Sequence, residues 1–325
     1  MKNKLKIGEK MITFNKFKET VLDKMTERYK GKYKVCLIDV PKNTGGTEVG
    51  LNITKENIED GIVFRLEDYY KYYDTDISME EVIVDISNII DENSEGMEES
   101  GEIREDFNAA KGRIVYRLIN KKLNNEWLKG VPYRDFFDMA VVYYILLNKS
   151  EHGQMSIDIT NEYMEKWGVD EEELYNIAKE NTPKLYPCRV KSVRDIVRKI
   201  HENSKRKDEE WQQVERYLKE DEDYPLYELD QEDSINGATT LIYQGVLKMM
   251  ADMLESDLII FPVTICEVLI APYREDMGAS DYKRLMKHLS DTVLPFEEVL
   301  SKGVFRYSRE DDYLDYTWPD GLSRS

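Results

Sequence analysis

Residues 256 to 272 read SDLIIFPVTICEVLIAP, the most apolar stretch of the chain, and they restrict the fold more than any other segment. A membrane-spanning helix needs about 18 or more consecutive apolar residues. Pro262 and Glu267 interrupt this run before that length is reached. Pro262 also has no N–H to give to a central ladder. The two runs of β-forming residues on either side of PVTIC are therefore expected to be neighbouring buried strands joined by a turn. Leu258, Ile260, Val268 and Ile270 should face the core.

The remaining periodicities alternate between helix and strand. Phe14, Phe17, Val21, Leu22, Met25 and Tyr29 fall on one helical face. KYKVCLIDVPKNTGGTEVGLNIT reads as a hairpin whose turn holds Gly45 and Gly46. GIVFR adds a short strand, followed by the tyrosine-rich DYYKYYD. Ser78 and Glu81 have capping-box spacing, and the helix they open should bury Val82, Ile83, Ile86, Ile89 and Ile90. The acidic, aperiodic stretch from Asp91 to Asp106 reads as a loop. GRIVYRLIN, FFDMAVVYYILLN and GQMSIDIT are β-rich and expected to share a sheet. Asp170 and Glu173 open a helix that should stop near Thr182, because Pro183 disfavours helix in its neighbour. Ser192 caps a helix with Val193, Ile196, Val197 and Ile200 on one side, and KDEEWQQVERYLKEDED reads as a further charged helix. PLYELD and ATTLIY read as strands, and Val246, Leu247, Met250, Met253 and Leu254 as a helix. The expected class is α+β, with mixed or antiparallel sheets and flanking amphipathic helices. Three α+β regions are expected, at 1–106, 107–220 (carrying the basic helix) and 221–325 (carrying the apolar core strands).

A chain of 325 residues with 41% hydrophobic side chains has enough apolar material for a packed core. Its net charge of -19 opposes a sequence-blind embrace of nucleic-acid phosphates. Three widely separated cysteines form no C-x-x-C pair, which fits a reducing compartment and indicates neither a disulfide framework nor a zinc site. The first residues carry lysines but no continuous apolar core or small-residue cleavage site, so the expected location is the cytoplasm, without membrane association.

The chemical motifs are few. His152, His201 and His288 have no close ligand partner, and the DTD and DEDY runs lack the glycine and terminal glutamate of a calcium loop. No phosphate-binding glycine loop and no nucleophile elbow occurs. No cofactor, no metal and no catalytic residue is therefore assigned. Cys188 alone has cationic neighbours, Arg189 and Lys191, which favour a thiolate. It is the nucleophile candidate, with an ordinary strand-edge cysteine as the alternative.

Charge is more informative. From Lys184 to Lys207 the chain carries net +7, and from Glu67 to Asp106 it carries -13. Arg194, Arg198 and Lys199 lie off the apolar stripe of their helix and are candidate docking residues for a carboxylate or phosphate surface. The competing reading pairs this basic island with an acidic stretch of the same chain, KEDEDYPLYELDQED.

VPYRDFFDMAVVYYILL, WGVDEEELYNIAKENTPKLYP and the 256–272 stretch resemble an uncharacterised bacterial family of domains of unknown function over most of the chain. More distantly, Trp167, Glu172, Glu173, Leu174, Ala178, Asn181 and Pro187 resemble the pattern of YtpQ-like proteins, which the charged insertion from Lys205 to Asp223 interrupts. Neither resemblance supplies catalytic residues. The leading expectation is a non-enzymatic protein-protein interaction or regulatory module with an unidentified protein partner. The alternatives are a hydrolase whose site only the fold assembles, and an acidic decoy that imitates DNA.

Overall fold

Phe17, Val21 and Met25 recur every four positions and are completely buried, which makes helix α1 (Phe14–Arg28) a core element from its sequence alone. The computed structural model describes residues 12–41, 47–55, 61–75, 77–92, 103, 105–150, 153–203, 225–231, 236–278, 280–282, 284 and 300–318. The chain divides into two compact units, one made of 1–109 with 146–157 and the other of 110–145 with 158–325.

In the first unit, β1 (Lys34–Pro41), β2 (Thr47–Thr54) and β3 (Ile62–Arg65) form an antiparallel sheet in that order. The β1–β2 hairpin is present, while the glycines assigned to its turn lie outside the described residues. The tyrosine-rich segment is helix α2 (Leu66–Thr75), and Tyr70 packs its ring against Phe14 and Phe17 of α1. Helix α3 (Met79–Glu92) begins at the expected capping box: the Ser78 N–H donates to Glu81, and the Glu81 N–H donates to Ser78 Oγ. Val82, Ile83, Ile86 and Ile90 are buried, and Ile89 is half-buried. Of the 91–106 stretch expected to be a loop, Asp91 and Glu92 close α3 and most of the rest lies outside the described residues, as does the whole of 207–223, expected to be a charged helix.

Helix α4 (Phe107–Lys111) leads into β4 (Ile114–Asn120), followed by β5 (Tyr133–Phe136), β6 (Met139–Ser150) and β7 (Gly153–Asp158). These four strands share one sheet, with β6 between β4 and β5 and with β7 also paired to β6. Helices α5 (Asn161–Trp167) and α6 (Glu171–Leu185) follow. Asp170 accepts the Glu173 N–H as expected, but α6 runs through Pro183 to Leu185 instead of stopping at Thr182. Proline in the last turn removes only one backbone donor. There the Thr182 hydroxyl donates to the Ala178 carbonyl at 2.6 Å.

The outer edge of β4 is covered by side chains in place of a strand. Tyr116 N–H donates to Thr182 Oγ1 at 3.1 Å, and Leu118 N–H donates to Thr239 Oγ1 at 3.3 Å. That demand explains a departure from expectation, since the ATTLIY segment forms a 3-10 helix, Gly237–Ile242, and not a strand. Thr239 serves as a buried hydroxyl acceptor while Thr240 donates its hydroxyl to the Gly237 carbonyl at 2.7 Å, and tertiary bonding overrides β propensity.

The largest sheet has the order β13-β12-β10-β11-β9-β8, entirely antiparallel. Its members are β8 (Cys188–Ser192), β9 (Tyr227–Gln231), β10 (Leu258–Phe261), β11 (Val268–Pro272), β12 (Val304–Ser308) and β13 (Tyr313–Trp318). The 256–272 stretch thus supplies the two central strands, with Ile260 opposite Ile270. Leu258, Ile260, Val268 and Ile270 are completely buried. Two helices belong with this sheet in sequence, α7 (Val193–Asn203) and α8 (Val246–Leu254). On α8, Leu247 and Met250 are buried, whereas Met253 is exposed. The fold is therefore α+β, and no described helix is long and apolar enough to cross a membrane.

Candidate functional site

The basic segment separates into two populations. Strand β8 places Arg189 and Lys191 two residues apart, on one face. Both meet Asp230 of β9, which is 1% exposed. Arg189 grips Asp230 through two bonds, Nε to Oδ1 at 3.1 Å and Nη2 to Oδ2 at 3.0 Å. Lys191 reaches Asp230 and also Glu228, the latter at 3.0 Å. These two cations are neutralised by the acidic stretch of the same chain.

Helix α7 is different. Ser192 Oγ accepts the Asp195 N–H at its start, and Val193 and Ile196 are half-buried. Arg198 and Lys199 are exposed, and Arg194 is half-buried. Arg198 meets Asp195 one turn back at 3.3 Å, with both side chains more than half exposed. Such a pair contributes about 0–1 kcal/mol and exchanges readily for another partner. Lys199 has no ion pair among the described residues.

Cys188 does not carry a thiolate. Burial, and secondarily the Asp230 carboxylate, push its thiol up to about 11. Arg189 and Lys191, the cations expected to activate it, are engaged with Asp230. No cluster of three or more metal-ligating side chains occurs among the described residues. The side chains of His152, His201 and His288 lie outside those described.

A second constellation has no precursor in the sequence reading. Arg134 of β5 is held by Glu171 of α6 through Nε at 3.1 Å and Nη2 at 2.9 Å, and Nη2 also meets Glu172. Its guanidinium carbon lies 3.8 Å from the ring centre of Tyr175. Tyr143 donates its hydroxyl to Glu171, and burial together with that carboxylate pushes the phenol far above its ordinary range, so it remains a donor. Arg134 lines a cavity of about 250 Å³ with Tyr175, Leu247, Tyr307 and Asp312. Glu171 stands 37 positions from Arg134 and 28 from Tyr143 in the chain, and only the tertiary fold joins them. The capping pattern around Asp170 was the one local clue, since it fixes where α6 begins and hence where Glu171 projects.

A family model described as Family of unknown function (DUF5688) matches residues 14–309. No curated protein and no solved structure gives a significant match.

Proposed function

Because the chain belongs to the DUF5688 family of unknown function, its role must rest on its own residues, and we propose that it is a cytoplasmic, non-enzymatic interaction module. Its docking element is α7, which presents Arg194, Arg198 and Lys199 to an acidic segment of a protein partner. The bacterial source and the distant likeness to YtpQ-like proteins belong to the same reading and add no residue to it.

The observation that carries the proposal is the division within the basic segment. Arg189 and Lys191 are consumed by Asp230 and Glu228, while Arg198 and Lys199 remain exposed on the neighbouring helix. In a chain of net charge -19, an acidic partner is repelled at long range. Within a Debye length of about 8 Å at physiological salt, local cations dominate. A basic helix is therefore a place where an acidic segment can settle. The raised Cys188 thiol supports binding over thiol chemistry.

The test is fluorescence anisotropy with a labelled ten-residue polyglutamate peptide. Wild type should bind it, more weakly as salt rises, and the triple variant R194E/R198E/K199E should lose affinity by about tenfold or more. Equal affinity of the two proteins would overturn the reading. Tighter binding of a single-stranded oligonucleotide of equal charge would move the partner from protein to nucleic acid and overturn it as well.

A further inference from the structure

We propose that the cavity beside Arg134 binds a small zwitterion of amino-acid size, with its carboxylate at Arg134, its ammonium at Asp312 and an apolar body between them. The inference is independent of the docking role of α7. It starts from how Arg134 is held. Both hydrogens of Nη2 and the one on Nε are directed to Glu171 and Glu172, and the guanidinium plane is stacked on Tyr175. Nη1 is left with two donor hydrogens and no partner among the described residues. A guanidinium fixed this way loses little side-chain freedom when a ligand arrives, so its hydrogen bonds contribute almost undiminished to affinity.

Two carboxylates line the same cavity, Asp135 and Asp312. Asp135 is already paired with Lys121 at 2.6 Å. Asp312 accepts the Tyr307 hydroxyl on Oδ1 only, which leaves Oδ2 as an acceptor. Its backbone is left-handed, with φ 50°, at the turn between β12 and β13. Asp is among the few residue types that adopt this conformation readily. Lys248 also lines the cavity, but its ammonium is engaged by the Arg309 carbonyl at 2.9 Å and by Asp252 at 3.4 Å, and Leu241, Leu247, Leu314 and Phe136 add apolar wall. At about 250 Å³ the cavity lies below the range of about 300–1,000 Å³ usual for drug-sized ligands, so its occupant is small. With Asp135 and Lys248 engaged by other groups, Arg134 and Asp312 are the charged pair left to a ligand, and with the apolar wall they match a molecule carrying both charges on a branched hydrocarbon body. A ligand with only one of the two charges leaves the other protein group without a partner in a partly desolvated site.

The experiment is isothermal titration calorimetry of the full chain with L-leucine, 4-methylpentanoic acid and 3-methylbutylamine. Leucine should bind, and each single-charge analogue should bind at least about tenfold more weakly. The variant Asp312→Asn tolerates the left-handed turn and keeps an oxygen for Tyr307, so circular dichroism should match wild type. It should weaken leucine by about tenfold and leave 4-methylpentanoate unchanged. The proposal is overturned if either analogue equals leucine, if Asp312→Asn leaves leucine affinity intact, or if leucine at millimolar concentration produces no binding heat.

Discussion

Replacing Ile260 by Ala tests whether the 256–272 stretch is core. Ile260 lies in β10 between two neighbours, opposite Ile270 on one side and Phe305 on the other, and none of its surface reaches solvent. The change removes three carbons, and at about 0.8 kcal/mol each the lost transfer energy is about 2.4 kcal/mol. The hole left between paired strands cannot close fully, which brings the total to about 3–4 kcal/mol. In a unit of about 200 residues, each kcal/mol shifts the midpoint by about 2–4 °C, so its thermal transition should fall by about 6–16 °C. The assay is thermal unfolding followed by circular dichroism. Met249→Ala is the control, because that side chain is 51% exposed and its loss should stay within about 0.5 kcal/mol. A midpoint for Ile260→Ala within about 2 °C of wild type would refute the packing argument. Ile260→Asp should prevent soluble expression, since it leaves an unpaired charge in an apolar interior.

Other substitutions probe the devices that hold the second unit. Thr182→Val keeps the shape but leaves the buried Tyr116 N–H without its acceptor, and should cost about 1–3 kcal/mol in chemical denaturation. Gly237→Ala should be at least as harmful, about 1–3 kcal/mol or more, because its Cβ would lie 1.8 Å from the backbone oxygen of Cys266. In a C36S/C266S background, Cys188 should react with iodoacetamide at pH 7.5 about a hundredfold more slowly folded than denatured. Its thiol is raised to about 11 in the fold, against about 8.5 for a free cysteine, so folding suppresses the thiolate. Fast alkylation of the native protein would contradict that environment.

Elements governed by local chemistry were legible in the chain. Ser78 with Glu81 and Asp170 with Glu173 mark helix starts because each side chain meets a backbone N–H only three positions away. Pro262 between two β-forming runs marks the turn because a missing donor is a local fact. The misreadings arise where distant groups decide. Thr239 and Thr240 favour strand by propensity, yet the N–H of Leu118 needs a hydroxyl, and the segment becomes a 3-10 turn. Pro183 lies within a helix whose last turn is tied to β4 through Thr182. Arg189 follows Cys188 in sequence, but adjacent strand residues face opposite ways, and its charge belongs to Asp230. The Arg134 cluster joins β5, β6 and α6, which no spacing rule connects. In the basic segment, sequence counts charges but does not say that β8 pairs Arg189 and Lys191 with Asp230 while Arg198 and Lys199 of α7 stay exposed.

The docking role of α7 is tested most directly by hydrogen-deuterium exchange of the full chain with and without a saturating polyglutamate peptide. Exchange should slow by about threefold or more in peptides covering Val193–Asn203 and stay unchanged in those covering Leu66–Thr75 and Val304–Ser308. Unaltered exchange across α7, or equal protection at the control segments, would contradict it.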